Sequence, residues 1–362
     1  MNAMPRLAAL RARMADDGHA AVLVTGVSNL AYITGFEGVI DEGINAACLV
    51  TAEGARFYTD HRYTEAAGAA AEGTPWEIRA QREELYPELC SDADDLGIPS
   101  LLVESSMPHA RYTLIEERFT GEVRAAEGYV EALREVKEPA EVERIARAAA
   151  IADRAFDHLC GFIAPGRTEA EIAVELEFFM RRDGSEHMPF APIVAAGENG
   201  ARPHAIPGSR AVHSGDLIVL DFGARAGGYC SDMTRTVAVG TAPEKLRRVY
   251  DAVLEANEAG LAAVCAGMGC REVDAAARAV LEQRGWGEHF THGLGHGVGL
   301  NVHERPTVGR RSDETLRAGA VVTVEPGVYV AGLGGVRIED LVVVTDGGHR
   351  RLTNAPKELI EI

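Results

Sequence analysis

The 362-residue chain has no CxxC pair, no long apolar run, and fewer basic than acidic residues. Its six cysteines, Cys48, Cys90, Cys160, Cys230, Cys265 and Cys270, are scattered and no secretory signal precedes them. They read as reduced thiols of a cytoplasmic protein. No stretch approaches the roughly 18 apolar residues that cross a bilayer, so a membrane is not an expected partner. With 36 Lys and Arg against 55 Asp and Glu, the formal net charge is −19. That balance argues against nucleic acid, which needs a basic face for its phosphates. No Gly-rich phosphate-binding turn follows any of the apparent strands of the first third.

What is present is an ordinary apolar fraction of 46% and length for two domains. Residues 5–16 have helical spacing. The runs 20–26, 46–51, 55–60 and 100–105 read as short strands, with helical stretches near 83–95 and 109–118. A charged segment follows, and Pro139 with Glu141 and Glu143 suits a helix start. The expected division is 1–130 and 131–362. Within the second part, the order helix, helix, hairpin (217–239) is echoed by helix (243–266), helix (271–285), hairpin (320–345), which suggests a structural duplication.

The chemistry-bearing residues interrupt apolar strands. In LIVLDFGARAGGYCSDMTRTVAV, a turn centred between Ala226 and Gly227 places Asp221 opposite Asp232. In VVTVEPGVYV and GVRIEDLVVV, a turn centred on residue 332 places Glu325 opposite Glu339. Like charges directly opposed across a ladder are destabilising, and a cation would remove the penalty. His296 lies in HGLGHGVG. Its spacing from His292 resembles HExxH, but the Glu is missing and the glycines disfavour a helix, so His296 is expected on a Gly-rich loop. Four carboxylates and one imidazole form a hard ligand set, suited to two divalent ions such as Mn, Co or Fe(II), with Zn also accommodated.

With these residues placed, the sequence resembles the pita-bread metallopeptidases (family M24), in the aminopeptidase P and prolidase branch. The matching pieces are PFAPIVAAGENGARPHAIPG (189–208), GDLIVLDFGARAGGYCSDMTRT (215–236), HGLGHGVGLNVHERP (292–306), VTVEPGVYV (322–330) and GVRIEDLVVVT (335–345). SNLAYITGF (28–36) and TDHRYTEAA (59–67) resemble the creatinase-type N-terminal domain of the same proteins. The resemblance implies a mixed α/β (α+β) class: a C-terminal pita-bread domain behind a smaller creatinase-type α/β domain. It implies metal ligation by Asp221, Asp232, His296, Glu325 and Glu339, with Asp232 and Glu339 shared between two ions, Mn2+ being favoured. Glu325 would also handle protons for the water that attacks the scissile carbonyl. His204, His292 and His303 would line the substrate site, and Arg337 would support metal shell and substrate. The implied activity is exopeptidase cleavage of Xaa-Pro bonds in small proline-containing peptides, by a homodimer.

Competing readings are a binding module without peptidase activity and a creatinase-like, metal-free amidinohydrolase on the same fold. Intact ligand positions weigh against both. For Arg337 the structural alternative is an ion pair with Glu339 or Asp340. Cys230 reads as a small core residue, and His61 and Arg62 as structural residues of the N-terminal domain.

Overall fold

The computed structural model describes residues 3–362. The chain forms two compact units, Met1–Arg134 and Glu135–Ile362. The first contains α1 (Met4–Asp17), β1 (Ala21–Val24), α2 (Val27–Thr34), β2 (Ala46–Thr51), β3 (Ala55–Thr59), α3 (Thr64–Ala71), β4 (Glu77–Ala80), α4 (Leu85–Asp95), β5 (Ser100–Glu104), α5 (His109–Arg118), β6 (Glu122–Ala126) and α6 (Glu131–Arg134). Its six strands form one mixed sheet in the order β4-β3-β2-β1-β5-β6. The strands read from sequence are the buried, apolar ones. The edges β4 and β6 carry EIRA and EVRAA, which lack an apolar run and so carry little sequence signal. Helix α6 lies beyond the expected boundary at 130 yet belongs to this unit. Its buried Arg134 donates to Asn29 Oδ1 at 2.6 Å.

The second unit contains α7 (Pro139–Phe162), α8 (Glu169–Arg182), β7 (Ile193–Ala196), β8 (Leu217–Phe222), β9 (Arg225–Ala226), β10 (Tyr229–Cys230), β11 (Met233–Ala238), α9 (Glu244–Ala263), α10 (Cys270–Gln283), β12 (Gly295–Gly297), β13 (Glu304–Val308), β14 (Val321–Val324), β15 (Gly327–Val330), β16 (Gly334–Arg337), β17 (Asp340–Thr345) and β18 (Gly348–Arg351). Both α7 and α8 begin with capping boxes, Glu138/Glu141 and Thr168/Glu171, which satisfy orphan N–H groups of the first turn.

The duplication read from element order is physical. Helices α7 and α8 share a core with β7, β8 and β11, built from residues such as Phe156, Leu176, Ile218, Leu220 and Val237. Helices α9 and α10 share a core with β14, β16 and β17, through Val253, Val273, Val322, Val324 and Val342. In each sheet one alternate set of side chains meets the helices, and the other set faces away. Asp221, Thr323, Glu325 and Glu339 fall in the second set. The halves are stitched where β11 meets the segment before β17: Glu339 N–H donates to Thr234 O at 3.0 Å, and Thr236 Oγ1 donates to Arg337 O at 2.9 Å.

Candidate metal centre

Three of the five ligand-type residues sit just outside the paired strands, and Asp221 sits within one. Asp221 is the penultimate residue of β8, Asp232 lies between β10 and β11, Glu325 follows β14 and Glu339 precedes β17. In the second hairpin, Val324 pairs with Asp340 and Gly327 with Arg337, so Glu325 and Glu339 face each other in the expected register. The first hairpin differs. Asp221 pairs with Thr234, and Tyr229 pairs with Ala226, which puts the turn at Gly227-Gly228. Both glycines have left-handed φ, 58° and 81°, as a two-residue type I′ turn requires. Asp232 is therefore diagonal to Asp221 and not opposite it. Because strand faces alternate with period two, the two-residue slip leaves both acids on one face.

His296 is the middle residue of a strand, not part of a loop. Strand β12 runs between β13 and β14. A Cβ at Gly295 would stand 2.1 Å from Thr323 O, and one at Gly297 would stand 2.1 Å from Arg305 O. The glycines flanking His296 thus admit neighbouring backbone, not flexibility.

Asp232, His296 and Glu339 bring one ligand atom each within 4.8 Å of one another. His296 Nε2 is 3.6 Å from Asp232 Oδ2 and 3.4 Å from Glu325 Oε1. The Gly297 carbonyl, 3.0 Å from Nδ1, only accepts, which places the ring proton there and turns the Nε2 lone pair toward two carboxylates. Among the described residues, Asp232 Oδ1 and Glu339 Oε1 find no hydrogen-bond partner and are buried. Burial, reinforced by the neighbouring carboxylates, pushes the Asp232 and Glu339 carboxyls well above the usual range. Burial raises Glu325 to about 8, against the opposing pull of Arg337. This arrangement of acceptors with no donor among them fits divalent cations.

Asp221 is engaged differently. Its Oδ2 takes the Arg337 Nη2 at 2.5 Å. Arg337, 3% exposed, also donates to Thr234 Oγ1 at 3.0 Å and Tyr329 Oη at 2.6 Å, and Thr234 Oγ1 donates to Glu339 Oε2 at 2.8 Å. Its partner is thus neither Glu339 nor Asp340. Asp340 instead pairs with buried Arg235 at 2.8 Å and Lys357 at 3.0 Å.

The three further histidines differ in setting. The His303 ring lies 4.3 Å from that of His296, centroid to centroid, tilted by 55°. His204 is exposed in the turn after the 3-10 helix Gly197–Ala201. Its loop is held by buried Glu169, which accepts from Ala196 N, Asn199 Nδ2 and Gly208 N. His292 faces Tyr329 Oη at 2.9 Å through Nε2 and Gly293 O at 2.8 Å through Nδ1. Burial, helped by Arg337 and Arg278, lowers His292 to about 4, so its ring is neutral. Sequence reasoning missed Tyr329, Thr234 and Thr323. Tyr329 and Thr234 stand at even spacing from Glu325 and Asp232, the signal that could have found them; Thr323 Oγ1 accepts from His296 N at 3.0 Å. Cys230 is buried against Leu300 O, and exposed Arg62 pairs with Asp60 at 2.7 Å.

The sequence model of metallopeptidase family M24 matches residues 143–346, more than half the chain. The chain belongs to this family. The Creatinase/Prolidase N-terminal domain matches residues 6–136. The chain is 36% identical to the Xaa-Pro dipeptidase of Pyrococcus horikoshii, over 94% of each sequence. Among solved structures, the Xaa-Pro dipeptidase from Bacillus anthracis aligns over the whole of both chains with a TM-score of 0.95 and 40% identity. The X-Pro aminopeptidase from Thermotoga maritima aligns at TM-score 0.86 and 34% identity, over 95% of this chain and 98% of its own. Membership of family M24 implies a peptidase that works with divalent metal ions, and the acceptor-only cluster is chemically suited to them. Among the described residues, no helix is long and apolar enough to cross a membrane.

Proposed function

We propose that this M24 peptidase hydrolyses Xaa-Pro bonds of small peptides, with two divalent ions, preferably Mn2+, held by Asp221, Asp232, His296, Glu325 and Glu339. The observation that carries the metal reading is the His296 Nε2 lone pair aimed at Asp232 and Glu325, beside two buried carboxylate oxygens without donors. The proline reading is supported by relatives named for Xaa-Pro cleavage at 36% and 40% identity. Dipeptides are the favoured length, because both of those relatives are dipeptidases. Catalysis is assigned to the second unit, residues 135–362, with residues 1–134 as a separate domain, and a cytoplasmic homodimer is the working form.

Bound ions would supply a water of lowered pKa and polarise the scissile carbonyl. Glu325, at the end of β14 beside His296, takes the attacking water's proton and delivers it to the prolyl nitrogen. Arg337 orients Asp221 and, through Thr234, Glu339. His204 and His303, both exposed, meet the peptide. His292 neither donates toward the cluster nor carries charge; it acts through Tyr329. Proline is a substrate that rewards a dedicated site, because its tertiary amide lacks an N–H and restricts the chain.

Turnover of Xaa-Pro, Xaa-Ala and Xaa-Pro-Xaa-Xaa by Mn-loaded protein tests the reading. Xaa-Pro is expected to be cleaved fastest, with loss of activity in chelator. Equal cleavage of Xaa-Ala would overturn the proline assignment, and absence of metal at saturating Mn2+ would overturn the metal assignment. Light scattering checks the dimer.

A further inference from the structure

We propose that Asp274 and Arg278 form a positioning clamp that holds His292 against Tyr329 and so aligns the Arg337 relay beside the carboxylate cluster. The proposal rests on the peptidase reading above. Asp274 and Arg278 stand one turn apart on α10, 1% and 6% exposed, among apolar neighbours such as Val273, Ala277 and Leu281. A buried ion pair is weak evidence for stability, because apolar residues of similar volume often serve as well or better. Its retention needs another reason, and its hydrogen bonds supply one.

Arg278 grips Asp274 in a two-pronged pair, with Nε to Oδ2 and Nη2 to Oδ1 both at 2.9 Å. All remaining bonds converge on one irregular stretch, 290–294. Nη1 donates to Phe290 O at 3.0 Å and Nη2 to His292 O at 2.9 Å, while Asp274 Oδ1 accepts from Leu294 N at 3.1 Å. The guanidinium carbon also lies 4.0 Å over the Phe290 ring, whose edge meets the His292 ring at 5.1 Å. Residues 290–294 join no ladder. The clamp supplies the partners a strand would otherwise provide, and it fixes the backbone on both sides of His292.

The consequence is a hydrogen-bond chain that runs in one direction. Arg337 Nη1 donates to Tyr329 Oη, which donates to His292 Nε2, while Nδ1–H donates to Gly293 O. The chain needs a neutral ring protonated at Nδ1. The clamp keeps the Gly293 carbonyl in place and puts a second cation near the ring.

The test uses full-length protein, Zn-loaded with 15N-labelled histidine for the ring signals and Mn-loaded for Xaa-Pro turnover. The double variant Asp274→Leu/Arg278→Met removes both charges together, so that neither is left buried alone; Arg278→Lys keeps the charge and loses the fork. Signals are assigned with His292→Gln. In the double variant the His292 ring nitrogens are expected to move away from the Nδ1–H pattern, with His204 and His303 unchanged and metal content retained. Its kcat should fall about ten- to a hundredfold, with less change in KM, as misplacement of a positioned group does; Arg278→Lys should lie between. Wild-type His292 signals and kcat in the double variant would overturn the proposal. If the double variant does not fold, the same result in Arg278→Lys overturns it. Failure of wild-type protein to cleave Xaa-Pro would overturn the function reading alone, leaving the clamp to the ring signals.

Discussion

Glu325 and Arg337 show how much a side chain depends on what surrounds it. Glu325 borders His296 at 3.4 Å and accepts from Thr323 Oγ1 at 3.3 Å, within reach of ligand and proton roles together. Glu325→Gln is expected to lower kcat by about 10²–10⁴-fold, the usual worth of a positioned proton-transfer group, with elemental analysis showing whether metal is lost as well. Arg337 is a buried cation with four partners on four different segments. Arg337→Met leaves half-buried Asp221 and the hydroxyls of Thr234 and Tyr329 without their donor, so denaturant unfolding of the metal-free protein should show a loss of about 3 kcal/mol. Asp221, Asp232, Glu325 and Glu339 stood out because acids interrupting apolar strands call for a cation, whereas His296 stood out through the family resemblance. Tyr329, Thr234 and the Asp274–Arg278 pair did not, because a buried tyrosine, threonine or helical ion pair has many structural uses. Only their non-local partners distinguish one use from another.

At the element scale, β12 is governed by space. Gly295→Ala would drive a Cβ into the Thr323 carbonyl at 2.1 Å. The expected cost is about 1–3 kcal/mol, as for other overpacked sites, read as a lower unfolding midpoint together with weaker metal binding because His296 is displaced. Thr168→Ala removes the α8 cap, whose Oγ1 accepts from Glu171 N, and should cost about 1 kcal/mol with metal binding unchanged. The hairpins carry the lesson about register. The longer, Gly-rich turn about residue 332 was placed correctly, because apolar runs of matching length on either side leave one register that buries both. The shorter one slipped by two residues. Its Gly227-Gly228 pair, rather than Ala226-Gly227, occupies the turn, since both central positions need left-handed φ.

For the whole molecule, the cluster makes stability depend jointly on pH and metal. Burial raises Glu325 to about 8 and pushes Asp232 and Glu339 upward in the absence of metal. An acid whose folded pKa is raised holds more protons folded than unfolded, so stability falls as pH rises from its ordinary range toward the folded value. Metal-free protein should therefore melt at lower temperature at pH 8 than at pH 5.5. Mn-loaded protein should show the opposite trend, because binding requires the ionised carboxylates and stabilises only the folded state. Calorimetry with and without chelator at the two pH values checks this; equal gaps between the loaded and stripped midpoints would refute it.

The sequence by itself determined the periodicities, and with them the buried apolar strands, the helix pairs, the repeated half and the candidate carboxylates that interrupt the strands. Those properties are local: a face alternates every two residues, and a strand two places out of register still presents its acids to the same side. The tertiary structure alone decided which partner each acid takes. Asp221 meets Arg337 across 116 positions of chain, and His292 is held by a helix that ends nine residues before it. Such pairings follow from how two sheets close on one another, and burial then sets their charge states.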